Sequence, residues 1–450
     1  MNDSTAAAPT YQLTSRLGKS LAIQVFLAFA LAYFFSALVR AVTATLAPTL
    51  SAEFGLGSGD LGLLAGGYFL GFALTQLPLG AWLDSYGPRR VIVCFLSVAV
   101  LGCLAFSWAT SFSGLLAARV LCGVGVSACL MAPLTGYRRW FAPASQLRAN
   151  SWMLMTGSLG MLASTLPVQW FVPQWGWRAL FVLLAASIAA AAILLAWRLP
   201  AWERAPVPAQ PTASGTDASK ATTPHTSTRQ PSLWQTYGRI FSHPYFVRHM
   251  PMGFFCYGGL LAMQTLWAGP WLVQVSGYTP AQAAAGLFWL NVCMLCTFFA
   301  WGSLNPLLAR KGWHADWLIA RGFPLGLLVL GLICWGGAQV QWWGWALFCM
   351  AYSFMSLAQP AIGMAFPPAL AGRALSAYNL VIFSGVFAVQ WGIGLLIDLF
   401  KAQGFATAQA FSAAMGVFGL CCALSYGFFI SRQNSAIAGF EASGSGKGTA

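Results

Sequence analysis

Long apolar segments recur along almost the whole chain, and only short polar stretches separate each one from the next. Apolar residues make up 58% of the 450 positions and charged residues only 7%, against about 25% charged residues in a soluble domain. A soluble fold has no interior that could hide so much apolar surface. The pattern therefore predicts an integral membrane protein, and it excludes an ordinary cytosolic enzyme, a disordered chain and a secreted disulfide scaffold.

The apolar segments are long enough to cross a bilayer as helices. A helical span needs about 20 apolar residues, and backbone groups in lipid must bond within their own segment. A β-barrel would instead show short alternating strands. We predict an all-α membrane protein with twelve transmembrane helices, over residues 20–48, 59–83, 91–110, 112–137, 148–172, 178–198, 246–274, 281–308, 315–337, 342–367, 373–399 and 405–431.

The basic residues indicate the orientation. The net charge of +14 comes from 23 Lys and Arg against 9 Asp and Glu. Most of the basic residues lie in the two tails, the even-numbered loops and the central segment, which is the positive-inside pattern. We therefore expect a multi-pass protein of the inner cell membrane, surrounded by lipid, with both termini cytoplasmic. No basic helix or aromatic-interleaved basic patch indicates a nucleic-acid partner.

The middle of the chain differs in composition. Residues 205–231 are rich in Pro, Thr, Ala and Ser and cannot pack a core, so we predict a flexible linker there. Residues 232–247 carry apolar side chains at helical spacing, which predicts a short helix on the membrane surface. The predicted organisation is a cytoplasmic tail over 1–19, a six-helix bundle over 20–198, the linker over 199–245, a second bundle over 246–431 and a tail over 432–450.

The two halves echo each other in sequence. The segment PASQLRA at residues 143–149 opens the fifth span, and PALAGRA at residues 368–374 opens the eleventh. Two parallel six-helix repeats are a transporter architecture with the substrate site between them, near the middle of the membrane.

A glycine- and arginine-rich motif follows the second span. It reads GAWLDSYGPRR and supplies Gly80, Asp84, Gly87, Arg89 and Arg90. Glycine lets two helices approach closely, and an aspartate at a helix end can face the positive N-terminus of another helix. The motif closely resembles the signature between the second and third helices of the major facilitator superfamily.

That resemblance extends over most of the chain. Arg119 with Gly123 and Gly125 resembles the pattern of the fourth helix in this superfamily. The resemblance implies two pseudo-symmetric six-helix bundles, a monomer, and a cytoplasmic gate in which Asp84 faces the eleventh helix near Arg373. Pro306 stands where the second copy of the motif would have its aspartate, so the second gate is degenerate.

Two arginines lie inside predicted spans. An arginine within a span costs about 2.5–3.5 kcal/mol on insertion scales, so it normally faces a wet cavity or a partner. Arg40 and Arg119 have no carboxylate near them in sequence or at their predicted depth. Paired guanidinium groups suit a carboxylate, which they bind bidentately. The alternative is helix-to-helix bonding to backbone carbonyls, which is common for the arginine of the fourth helix.

The resemblance implies that spans 1, 4, 7 and 10 line the substrate cavity. Apolar walls with a few polar groups are typical of a small-molecule site. An outer aromatic belt is the alternative position for Trp267. Besides the two arginines, the candidate substrate-binding residues are Tyr33, Tyr257, Gln264, Trp267, Tyr352, Gln359 and Asn379.

These features predict a secondary active transporter that moves a small organic anion by alternating access. The fifth span has Gly157 and Gly160 but lacks the proline that follows in drug exporters, which favours uptake. The alternatives are efflux of amphiphilic compounds, copper uptake through soft ligands such as Cys293 and Cys296, and a sensor that does not transport. No catalytic motif is present, so we predict neither an enzyme, a cofactor nor a resident metal.

The source of energy is open. Proton coupling usually needs a titratable group in the pathway. The four histidines lie in or beside predicted cytoplasmic loops, and Asp84 and Asp398 are the acids at membrane depth. Three options remain for the coupling ion: the substrate carries its own proton, anions are exchanged, or Asp398 couples to a proton.

Overall fold

The computed structural model describes residues 17–141, 143–200 and 233–432. Helices and turns make up these ranges, which contain no strand, so the predicted all-α class is confirmed there. Nine helices in the described ranges are long and apolar enough to cross a membrane. Most of both predicted tails and of the predicted linker lies outside the described residues.

Seven helices precede the central gap and ten α-helical segments follow it. The first group is α1 Lys19–Phe54, α2 Ser58–Leu74, α3 Gln76–Trp108, α4 Phe112–Val126, α5 Ala128–Trp140, α6 Pro143–Ala163 and α7 Leu166–Arg198. The second group is α8 Leu233–Ser242, α9 Pro244–Pro251, α10 Gly258–Ala262, α11 Ala268–Gln274, α12 Pro280–Arg310, α13 Ala315–Gly336, α14 Trp342–Tyr352, α15 Ala358–Ala365, α16 Pro368–Ala402 and α17 Thr407–Ser431.

Two glycine kinks stand where the sequence predicts loops between spans. Gly87 has φ 78° and ψ 161° inside α3, and Gly176 has φ 79° and ψ 159° inside α7. A positive φ is strained for residues with a Cβ, which explains why glycine occupies both positions. Each of these two helices therefore carries parts of two predicted spans, and the count of twelve crossings stays a prediction.

The seventh predicted span is not a regular helix. It is divided into α9, α10 and α11 by two π-helical turns, Met252–Tyr257 and Met263–Trp267. The tenth span contains a 3₁₀ segment, Ser353–Leu357, between α14 and α15. Turns of these kinds often mark functional positions in otherwise regular helices. The irregular backbone therefore falls in two of the four spans expected to line the substrate cavity.

Glycines let the helices around α2 approach closely. A Cβ at Gly66 would lie 3.0 Å from the ring of Phe387 on α16. A Cβ at Gly123 on α4 would collide with the backbone carbonyl of Tyr68 on α2. Small residues at such contacts are the usual route to tight helix packing in lipid, where helix association gains little from the hydrophobic effect. Consequently α2 is packed against α4 on one side and against α16 on the other.

We predict that Gly123→Ala destabilises the protein. The added methyl group meets backbone and cannot be accommodated by a side-chain rotation, and such overpacking typically costs about 1–3 kcal/mol. The melting temperature of the purified protein should therefore fall. The matched control is Gly331→Ala on α13, where a Cβ meets nothing within 4 Å. Equal melting temperatures for the two variants would contradict the packing described above.

Candidate functional site

Arg119 links α4 to the backbone of α1. Its side chain is fully buried, and its two terminal nitrogens donate to the carbonyls of Val39 at 2.8 Å and Arg40 at 3.2 Å. Its guanidinium lies over the ring of Tyr68, 5.1 Å from the centroid. This geometry corresponds to the carbonyl-bonding alternative for Arg119. In this conformation Arg119 holds the stretch of α1 that carries Arg40.

Arg40 has a different environment. Its side chain is half-buried, and the partner of its terminal nitrogen is the thioether of Met161, 3.7 Å away. Its Nε is buried without a hydrogen-bond partner. The ion pairs found in the described ranges do not include Arg40. A guanidinium next to a weak sulfur acceptor retains most of its capacity to bind an anion.

Two tyrosines lie near Arg40. Arg40 and Tyr33 are both close enough to Tyr257 to act on its hydroxyl electrostatically. The ring of Tyr33 is buried against Gly157, where even a Cβ would be too close to it. Tyr257 stays half-buried at the end of the first π turn. The structure therefore brings together Arg40, Tyr33 and Tyr257 from spans 1 and 7.

The predicted polar residues of the second half bond mainly to neighbouring helices. The Gln264 amide donates to Asn291 Oδ1 at 3.0 Å, and Trp267 Nε1 donates to the carbonyl of Gln390 at 3.1 Å. Both predicted residues are buried. Their hydrogen bonds tie α12 and α16 to the second π turn of span 7, so the Gln264 amide nitrogen and the Trp267 indole nitrogen both donate within the protein in this conformation.

The remaining candidates of spans 10 and 11 divide into two kinds. The amide of Gln359 is half-buried and donates to Asn379 Oδ1 at 2.6 Å. Tyr352 is fully buried, and its ring packs against Phe323 and Phe348 with centroids 5.0 Å and 4.1 Å away. Gln359 therefore keeps part of its side chain exposed, whereas Tyr352 occupies a packing position within the second half.

The predicted gate residues meet at one end of the molecule. Asp84 and Arg373 line a shared cavity of about 240 Å³, together with Arg138 and Gly80. Arg373 donates to the Thr236 hydroxyl at 3.3 Å, and its guanidinium also acts electrostatically on Asp84. Gly80 lies close to Ser376 of α16, whose Oγ would be 3.8 Å from a Cβ. Of the other gate residues, Gly87 forms the kink in α3, Arg89 is half-buried and Arg90 is exposed.

The short helix α8 contacts both halves at this gate. The Tyr237 hydroxyl donates to the carbonyl of Leu77 on α3 at 3.1 Å, while Thr236 accepts from Arg373 on α16. Thr236, Tyr237 and Ile240 form its buried face, and Trp234 on the other side is 78% exposed. The helix that follows the linker thus bridges α3 and α16, next to the residues of the predicted gate.

A second contact between the halves lies at the opposite end of α2. The carboxylate of Asp398 on α16 accepts hydrogen bonds from the backbone N–H of Ser58 at 3.1 Å and of Gly59 at 2.6 Å. These are the first residues of α2, whose N-terminus carries partial positive charge. Glycines at positions 57 and 59 leave room for the carboxylate. Asp398 therefore joins the two halves at the predicted outer face.

Sequence reasoning missed several polar residues inside spans. Asn291 and Gln390 are buried partners of predicted residues, and Gln390 Nε2 also donates to Thr265 at 3.0 Å. An amide side chain within an apolar span is the signal that could have identified them. Arg248, His249 and Asp316 form a buried cluster that the sequence divides between two distant segments.

Comparison with known proteins decides the family. The sequence profile of the Major Facilitator Superfamily matches residues 29–390. The chain belongs to this superfamily. It is therefore a multi-pass membrane protein that transports a small molecule, and the family assignment confirms that it is not an enzyme.

Relatives of known type agree with this assignment. The inner membrane transport protein YajR of Escherichia coli is 25% identical over 367 residues, covering 79% of this chain and 73% of YajR. A gallate transporter of Pseudomonas putida is 25% identical over 405 residues, covering 83% of this chain and 87% of that protein. A crystal structure of a bacterial homologue of the lysosomal transporter Spinster, inward-facing and unoccupied, has a TM-score of 0.73 at 17% identity, covering 94% and 99%. The structural likeness confirms the fold of the superfamily.

We predict that Asp398→Ala opens the outer face of this transporter more often. A hydrogen bond to a charged group contributes about 1.5–3 kcal/mol, so the population with that face open should rise roughly tenfold or more. The measurement is labelling of Ser58→Cys, which keeps the backbone N–H, by an impermeant maleimide added outside intact cells. Asp60→Asn is the control, because Asp60 accepts from Gly57 within the same half. If the Asp398→Ala variant is labelled no faster than this control, the hydrogen bonds of Asp398 do not hold this face closed.

Proposed function

We propose that this transporter takes up a small organic anion and that Arg40 binds its carboxylate. The observation that carries the proposal is the half-buried guanidinium of Arg40, whose only side-chain hydrogen-bond partner in the described ranges is a thioether. Placing an arginine within a span is costly unless it meets water, a partner or a ligand. A carboxylate would supply the strong acceptor that Met161 does not, and two parallel N–H donors would fix its orientation.

The surrounding residues fit a small, partly aromatic solute. Tyr33 and Tyr257 provide ring surface and hydroxyl groups beside Arg40. Gln359 adds an accessible amide on span 10, while Arg119 positions the turn of α1 that carries Arg40. In this proposal Arg119 acts through Arg40 rather than by touching the solute. The buried Gln264, Trp267, Tyr352 and Asn379 contribute to the shape of the second half.

The comparisons support an anionic substrate without identifying it. Gallate, the substrate named for the Pseudomonas putida relative, is a carboxylate attached to a phenolic ring. Such a solute would pair its carboxylate with Arg40 and its ring with the two tyrosines. We further propose an inner-membrane location with both termini cytoplasmic, since most basic residues lie on that predicted side.

Alternating access would use the two contacts between the halves. Opening towards the outside would break the hydrogen bonds of Asp398 to α2, while opening towards the cytoplasm would separate α3 from α16 around Asp84 and Arg373. In this proposal the moving halves are residues 20–198 and 246–431, and the linker joins them.

Ligand-induced stabilisation tests the proposal. The purified protein should melt at a higher temperature with gallate but not with methyl gallate, its neutral ester, because only the anion can pair with Arg40. A ligand at 100 times its dissociation constant adds about 2.7 kcal/mol of stability, which a thermal-shift assay resolves. Other small carboxylates and their neutral esters extend the screen.

Two variants make the test specific. Arg40→Ala should lose the response to the anion, whereas Arg321→Ala should keep it, because Arg321 is an exposed residue that lies over Trp317 on α13. Stabilisation by neutral or amphiphilic compounds alone would favour efflux instead. An Arg40→Ala variant that responds like the parent would assign Arg40 to a structural role.

A further inference from the structure

A buried cluster of ionisable side chains lies at the N-terminal end of α13, away from Arg40. Asp316 Oδ2 accepts from Arg248 at 2.6 Å, and Asp316 Oδ1 accepts from the Tyr245 hydroxyl at 2.8 Å and faces His249 Nε2 at 3.2 Å. The imidazole of His249 is fully buried and Arg248 nearly so, while Asp316 keeps a quarter of its side chain exposed. The cluster therefore reaches water through Asp316.

The geometry around His249 indicates its protonation. Its Nδ1 lies 2.9 Å from the carbonyl of Tyr245, and a carbonyl can only accept, so Nδ1 carries a hydrogen. Its Nε2 faces a carboxylate that already accepts from Arg248 and Tyr245. A neutral ring with the hydrogen on Nδ1 would point a lone pair at that carboxylate. The arrangement therefore has a place for one further proton, between Nε2 and Asp316.

The charges nearby allow the cluster to bind and release this proton. Arg248 and Asp316 neutralise each other, so the cluster is balanced without the proton and carries one positive charge with it. Of the neighbouring elements, α16 contributes the ionisable Tyr378. The α17 groups at the cluster are uncharged: the Phe429 ring lies 5.1 Å from His249, and the Phe429 carbonyl accepts from Arg248. No second carboxylate in the described ranges pairs with this cluster.

A stretch of π-helical backbone lies between the cluster and the neighbourhood of Arg40. The π turn Met252–Tyr257 begins three residues after His249 and ends at Tyr257, beside Arg40. Tyr378 packs against this turn at Gly253, where a Cβ would lie 2.8 Å from its hydroxyl. The Tyr378 hydroxyl is buried without a partner and is electrostatically close to both Asp316 and Tyr257.

We propose that His249 and Asp316 form a proton-binding site whose proton moves with the solute. In this conformation, the proton on His249 Nε2 passes to the Asp316 carboxylate and then to water at its exposed edge. His249 is left neutral, with its remaining hydrogen on Nδ1. The site itself is inferred from its own geometry, while its coupling to transport rests on the proposed function. The site of His249 and Asp316 supplies a titratable group for proton coupling, which the sequence analysis did not identify.

The proton site can be observed without any substrate. The full chain contains four histidines, so nitrogen-15 labelling of histidine gives a simple spectrum from the purified protein in detergent. We expect one ring that carries a hydrogen on both nitrogens, because Nδ1 faces a carbonyl and Nε2 faces a carboxylate. This signal should be lost in His249→Gln and converted to that of a neutral ring in Asp316→Asn. His314→Gln, which removes an exposed histidine two residues from Asp316, should leave that signal in place. A neutral His249 ring at and below pH 7 would overturn the proposal.

Coupling is tested in proteoliposomes with gallate as the probe. His249→Gln keeps a donor towards Asp316 but cannot exchange a proton. We expect it to exchange labelled for unlabelled gallate at close to the parent rate, and to lose the accumulation that an imposed pH gradient drives in the parent. The control variant His314→Gln should retain both the exchange and the accumulation. Accumulation by His249→Gln equal to the parent would overturn the coupling role.

Failure of the proposed function and failure of the coupling role give different results. If the parent exchanges neither gallate nor other carboxylates, the proposed function fails, and the nitrogen-15 spectrum still decides whether the proton site exists. If the parent exchanges gallate but a pH gradient drives no accumulation, the anion site stands and the coupling role of His249 is wrong.

Discussion

Polar groups within lipid must find their partners inside the protein, and this constraint organises the helices. Arg119 donates to carbonyls of α1, Trp267 to a carbonyl of α16, and Gln264 to Asn291 on α12. Each contact joins one helix to another because no water is present to take the hydrogen bond. Within the described ranges, the guanidinium of Arg40 has only a thioether as its side-chain partner, and for that reason we propose it as the group that binds the solute.

The N-terminus of α2 and the first part of α3 meet α16 by different means. At the predicted outer end, a carboxylate caps the helix N-terminus and glycines bring the backbones together. At the predicted cytoplasmic end, Asp84 and Arg373 face a cavity, and Arg373 bonds to Thr236 of α8. The outer contact is a direct bond between the halves, whereas the inner one is looser and involves the helix after the linker.

Span 7 connects the features that matter for transport. It carries His249 near its beginning, Tyr257 beside Arg40, and Trp267 against α16. Its π turns lie between these positions, where the backbone hydrogen bonding is least regular. In the proposed mechanism, a change in protonation at His249 would reach the proposed solute site through the backbone of this single span.

The sequence by itself determined the membrane class and the helical fold. These follow from apolar length and from backbone bonding in lipid. It also placed Arg40 and Arg119 inside predicted spans, but it could not separate their roles. Only the tertiary structure decided that Arg119 donates to carbonyls of α1 while the guanidinium of Arg40 contacts a thioether. It alone also decided that Tyr352 is buried and that His249 meets Asp316. Each of these depends on which helix faces which, and periodicity within one helix carries no information about its neighbours.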